Sequence, residues 1–337
     1  MRLLAVRVAV GFALVGSLLA VLLRPALAPA PAMVALAGSA VPWLRAWRSA
    51  RGTALRPALA WAGAAMIVAF ASQAVAMIEP FGGGRPAAGQ CVYLATLGLF
   101  AAMISVFNAR TPGGGAWALL MAMLIVVFLV PWLEGAGLVR EGGGWDRLHL
   151  SAPWTIFYGL IVVAGVSNFL PTRLAPAAIA LGVGLLAEYI GLTRVDLSRP
   201  TRGTIWTLVA TCWGVAAWAA DLVTIRPSAL APGLPRLWAR FRDAWGVVWG
   251  LRVLDRFNRT AESARWPIRL SWQGVVPATG DEARSAEIPP EAAATLAGLL
   301  RRFATAGRLA EWEDWPDPIE PWKESRPGRL DERCDRE

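Results

Sequence analysis

What most constrains this chain is a succession of apolar stretches, each close to the ~20 residues that an α-helix needs to cross the hydrocarbon of a bilayer. They fall at residues 5–23, 26–44, 57–78, 90–107, 116–133, 152–170, 174–192 and 203–223. The run from Leu119 to Val130 is almost wholly apolar. None alternates apolar and polar residues as a barrel strand does, and only helices or closed barrels satisfy the backbone inside hydrocarbon. The expected fold is an all-α integral membrane protein, a bundle of about eight transmembrane helices. The first stretch has a second reading, because Ala26-Leu27-Ala28 resembles a signal-peptide cleavage site. Arg24 and Pro25 fit that site poorly and suit a turn between two helices, so a retained helix is expected.

Composition enters where charge must be reconciled with this apolar pattern. The chain carries a formal charge of +9, and 32 of its 33 basic residues are arginine, Lys323 being the exception. Residues 1–223 supply 15 Arg against 7 acids, so most of the excess lies in loops and span edges. Basic residues collect on the cytoplasmic side of membrane proteins. Counting flanks with the N-terminus inside gives twelve arginines inside and seven outside. The charge therefore reads as topology, with both termini cytoplasmic in an inner (plasma) membrane, and not as a nucleic-acid signature.

After residue 223 the chain becomes polar, and three regions are expected: a multi-pass domain at 1–223, a cytoplasmic helix–strand–helix extension at 224–310, and a disordered tail at 311–337. In the extension, residues 235–264 read as an amphipathic helix with an apolar face that includes Trp238, Trp245 and Trp249, opposed by a polar face with Arg240. Residues 226–269 hold nine Arg and three acids, so this helix is expected to lie on an anionic membrane surface. Residues 267–276 alternate as a single strand, which needs a partner for its edges. That strand suggests self-association or a protein partner through 224–310.

Much chemistry is excluded. One histidine (His149) rules out bis-histidine haem ligation and HExxH zinc hydrolysis, and the three cysteines form no CxxC pair. The only lysine precedes Glu324, so there is no Walker A loop. Gly182-x-Gly184-x-x-Ala187 has the spacing of a dinucleotide fingerprint but lies within an apolar helix, where small residues serve close helix packing. No catalytic, metal or cofactor site is read.

Polar residues in or beside spans carry a functional expectation because lipid disfavours them. Gln73, Glu134, Asp146, His149 and Glu188 are read as a polar membrane and outer-face group, Glu188 being the most telling. The plainer alternative is a set of interface groups paired with Arg140, Arg147 and Arg194, with Gln73 an interhelical hydrogen-bond donor. The function expected is that of a non-enzymatic scaffold or complex subunit with a partner-binding tail. The alternatives are a transporter or channel for a small solute or ion, and an enzyme acting on a lipid-linked substrate at the outer face through His149.

Overall fold

A computed structural model describes residues 11–17, 19, 23, 29–82, 88–107, 115–140, 150, 152–194, 197, 199–225, 233–278 and 288–313. Its first helix, α1, covers residues 11–17. Then follow α2 (Pro29–Gly38), α3 (Ala40–Ser49), α4 (Arg56–Gly82), α5 (Ala88–Phe107), α6 (Gly115–Arg140), α7 (Ala152–Ser167), α8 (Ala175–Thr193) and α9 (Arg199–Ile225). The C-terminal part comprises α10 (Leu234–Ser263), β1 (Ile268–Leu270), β2 (Val275–Pro277), α11 (Pro290–Leu300) and α12 (Ala306–Glu313).

The protein is mostly helical, as the apolar runs require. Among the described residues four helical segments are long and apolar enough to cross a membrane: Arg56–Met77, Gln90–Phe107, Ala175–Thr193 and Gly203–Thr224. They coincide with four of the eight expected spans. The apolar segments Ala122–Glu134 and Ala152–Ser167 are shorter. Between α2 and α3 the helix breaks at Ser39 for a local reason: Pro42 has no N–H to offer the carbonyl four residues back, at Gly38. Ser39 turns its hydroxyl to the Ala35 carbonyl at 2.8 Å.

The bundle packs on small residues and on its tryptophans. A Cβ added to Gly184 on α8 would stand 2.9 Å from the Cys212 Cβ of α9, so the two backbones approach as closely as a glycine permits. The fingerprint-like spacing is thus a helix-crossing feature. Trp206, Trp213 and Trp218 all turn into the bundle. Its outer face is strongly apolar, with Ile67 72%, Val163 66%, Ile156 63% and Val126 62% exposed.

The C-terminal residues form a second core around α10. Trp238, Phe241, Trp245, Trp249, Phe257 and Phe303 are buried together with Leu296 and Leu300 of α11. Phe241 stacks on Trp245 with centroids 5.0 Å apart, and Phe303 meets both rings edge-on. The structure corrects the strand expected at 267–276. It is a hairpin, because Ser271-Trp272-Gln273-Gly274 turns the chain and sets Ile268 opposite Pro277 and Leu270 opposite Val275. At the end of β1, Asn258 of α10 donates to the Leu270 carbonyl at 2.8 Å and accepts from its N–H at 2.7 Å. The edge that called for a partner is therefore met at Leu270 from within. The expected disordered tail lies almost wholly outside the described residues, which end at Glu313.

Candidate functional site

Of the polar residues singled out in the sequence, Glu188 and Gln73 are fully buried and Glu134 is exposed. Asp146 and His149 lie outside the described residues. Gln73, on α4, is engaged by α9: its Nε2 donates to the Trp206 carbonyl and the Thr207 hydroxyl donates to its Oε1, both at 3.4 Å. Glu188 has different partners. The Thr96 hydroxyl of α5 donates to its Oε2 at 2.5 Å, while Oε1 is buried and meets no hydrogen-bond partner among the described residues. The two buried groups therefore bond to different helices, and Glu134, on the exposed side of α6, joins neither.

Around Glu188 the three tyrosines of the chain gather. Tyr93 of α5 donates to the Phe128 carbonyl of α6 at 2.8 Å. That carbonyl lies next to the one at Val127, which Pro131 deprives of its helical N–H, so α6 has loosened backbone where the phenol reaches it. Tyr158 of α7 donates to the Leu185 carbonyl at 3.1 Å and stands near the Glu188 carboxyl. Tyr189 packs its ring on Tyr158, 5.7 Å between centroids. Thr96, Tyr93 and Tyr158 were not singled out in the sequence. The signal available was the rarity of tyrosine together with its confinement to spans.

A second meeting of polar groups lies at one end of the bundle, where the C-terminal domain docks. The sequence expectation placed Trp238, Arg240, Trp245 and Trp249 on a membrane surface. In the structure the three indoles face the domain's own core, and Arg240 is exposed, donating to the Glu311 carbonyl at 3.1 Å. The cause is that α11, α12 and the hairpin cover the apolar face of α10. At the α7–α8 turn, Asn168 inserts into a break in α10. Its Nδ2 donates to the Trp245 carbonyl at 3.2 Å, its Oδ1 accepts from Val248 N at 3.0 Å, and its own carbonyl accepts from Val247 N at 2.9 Å. Gly246 makes room for this at φ 75°. A Cβ there would lie 2.3 Å from Asn168 Nδ2, so no other residue fits.

Further contacts tie the same end. Trp249 Nε1 donates to the Val106 carbonyl at the end of α5, and Trp272 Nε1 to the Pro171 carbonyl, both at 2.9 Å. The chain between α3 and α4 pairs with the loop after α11: Ala54 N donates to the Phe303 carbonyl and Thr305 N to the Gly52 carbonyl, each at 2.8 Å. Arg308 donates to the Ser49 carbonyl. Nearby, Arg45 pairs with buried Asp221 at 2.6 Å, tying α3 to the end of α9.

The architecture is thus a helical bundle with four helices of membrane-crossing length, capped at one end by a small aromatic-cored domain. Among the described residues no group of three or more His, Cys, Asp or Glu stands ready to hold a metal ion. No family description, curated protein or solved structure matches the chain.

Proposed function

We infer that this is a multi-pass protein of a bacterial inner membrane, about eight spans strong, whose role is that of a non-enzymatic scaffold or complex subunit presenting its C-terminal domain on the cytoplasmic side. The observation that carries this reading is the docking of that domain. Backbone and side-chain hydrogen bonds from the ends of α3, α5 and α7 hold it at the end of the bundle. An exterior of lipid-type residues around the bundle supports the membrane assignment. Helix α2 with the start of α3, up to Leu44, and the shorter apolar segments of α6 and α7 are further candidates for the remaining spans. The positive flanks support both termini inside.

The experiment is purification of the full chain from its own membrane in mild detergent, with the mass of the particle measured natively. The expected result is a discrete assembly heavier than the 36.1 kDa chain. A monomer alone overturns the scaffold reading. A reporter fused after Glu337 that is active only outside the cytoplasm overturns the orientation.

A second reading, a transporter of an ion or small solute, is favoured by one observation. Glu188 carries a buried acceptor oxygen with no hydrogen-bond partner among the described residues, close to three tyrosines. Intramembrane carboxyls of this kind commonly mark ion pathways. Proteoliposomes whose ion or proton leak is identical for the wild type and Glu188→Gln count against it.

A further inference from the structure

The basic, aromatic surface sought on α10 is found elsewhere. At the end of α3, Trp43 and Trp47 stack with centroids 5.5 Å apart, and the Arg56 guanidinium lies over the Trp47 ring at 4.9 Å. Trp43 is fixed by donating to the Leu59 carbonyl at 2.8 Å. Arg48, Arg51 and Arg56 are exposed around this stack. They stand at the rim of the bundle's lipid-type face, since Leu44 of α3 and Trp61 and Ile67 of α4 are exposed beside them. The antiparallel contact between Thr53 and Ala304 then brings in Arg301 and Arg302, both exposed, from the loop after α11. These five arginines make no ion pair among the described residues. The acids on α9, α11 and α12 are Asp221, which pairs with Arg45, and Glu291, Glu311 and Glu313, of which Glu311 is taken by Arg308.

Topology accounts for only part of this patch. The positive-inside preference acts through residues within roughly 15–20 positions of a span. Arg48, Arg51 and Arg56 satisfy that, but Arg301 stands 76 residues after Ile225, the end of α9. Two segments far apart in sequence thus bring like charges to one rim, where they repel unless an anion lies between them. The tryptophan stack is of the kind that settles at the headgroup level.

We propose that this rim binds the headgroup of an anionic phospholipid, held by Arg48, Arg51 and Arg56 from the bundle and by Arg301 and Arg302 from the C-terminal domain. One lipid phosphate then bridges the two cores, and the domain is tied to the bilayer as well as to the helices. The proposal requires the membrane reading but not the scaffold role. Lipid retention and particle mass are read separately, so each can fail alone.

The test uses the full chain in mild detergent, titrated with dioleoyl-phosphatidylglycerol and, separately, with dioleoyl-phosphatidylcholine, with bound lipid counted by native mass spectrometry. The anionic lipid is expected to be retained about tenfold more tightly. The double variant Arg301→Gln with Arg302→Gln lowers that preference by about threefold or more, and the triple variant at Arg48, Arg51 and Arg56 removes it. Arg259→Gln, which alters an exposed arginine of α10 already paired with Asp255, leaves it unchanged. Equal retention of the two lipids by the wild type, or a preference unaltered in the double variant, overturns the proposal. So does displacement of the lipid by millimolar inorganic phosphate, which would assign the arginines to a soluble anion. Should the triple variant fail to insert, the double variant decides, because its positions lie beyond the reach of the topology rule.

Discussion

The two cores of this protein differ less in their apolar residues than in the polar groups they bury and in the apolar side chains exposed around them. The bundle core contains Ala32, Ala65, Ala69, Ala95 and Ala210 among its buried residues, with Ser72, Gln73, Thr96, Glu188, Thr207 and Thr211 buried among them. The C-terminal core holds six aromatic rings, as the bundle core does, but among its described residues the buried polar or charged side chain is Arg242 alone. Outside, the difference is larger. Large apolar side chains are exposed along the whole bundle, whereas among the described residues of the C-terminal domain only Leu251 and Val276 are. In lipid, helices gain nothing from hiding apolar surface, so they associate through close backbone contact and interhelical hydrogen bonds. In water the transfer of large rings out of solvent does the work, at about 25 cal/mol per Å².

The strongest way to break this comparison is to separate the cores. Gly246→Val places a branched side chain where the backbone has φ 75° and where Asn168 already stands. Strain and overpacking together destabilise the junction by about 5 kcal/mol. Limited proteolysis should then release or degrade residues beyond 233 while the bundle stays intact in detergent; simultaneous loss of both parts would show that they fold as one.

A sharper test removes the same residue type from each core. Trp245→Ala, from a site with no exposure, is expected to cost about 4 kcal/mol. Trp213→Ala in the bundle should cost about half as much, ~2 kcal/mol, because lipid replaces water as the reference and only packing is lost. Denaturant unfolding of each part, followed by tryptophan-independent probes, measures both, and equal losses would argue against a lipid-facing bundle. Asn168→Ala comes next at about 2 kcal/mol, read as protease sensitivity of the junction, since two side-chain hydrogen bonds to α10 disappear and their partners are left dry. Thr96→Val, nearly isosteric, withdraws the donor from Glu188 and should lower the bundle's thermal midpoint by the equivalent of about 1 kcal/mol. Smallest is Arg259→Gln, which breaks an ion pair whose members are 78% and 57% exposed; it should change stability by less than about 0.5 kcal/mol in the same melt.

The sequence made the bundle legible because a span imposes a length, and 57–78, 90–107, 174–192 and 203–223 were recovered almost to the residue. It misplaced the face of α10. Periodicity reports that Trp238, Trp245 and Trp249 share an apolar side, but the same pattern suits a bilayer surface and a protein core alike. What decides between them is Leu296, Leu300 and Phe303, more than thirty residues later. The hairpin was hidden for a similar reason: Ser271-Trp272-Gln273-Gly274 continues the alternation of polar and apolar residues through its own turn. Glu188 stood out as an acid in a span, whereas Thr96 and Tyr158 are ordinary residues until three-dimensional contact brings them to it. Asn168 gave no signal at all, because a turn residue that reads a distant helix break leaves no local pattern.

The contact between Thr53 and Ala304 has a consequence for how the protein is made. A ribosome releases the chain in order, and residues 49–56 emerge some 250 positions before their partners exist. Until then the carbonyl of Gly52 and the N–H of Ala54 lack the partners that Thr305 and Phe303 supply. Closure of this junction therefore comes late in synthesis and closes a loop of about 250 residues, with the entropy cost such a loop carries. A chain halted early would carry spans already inserted but an unsealed rim.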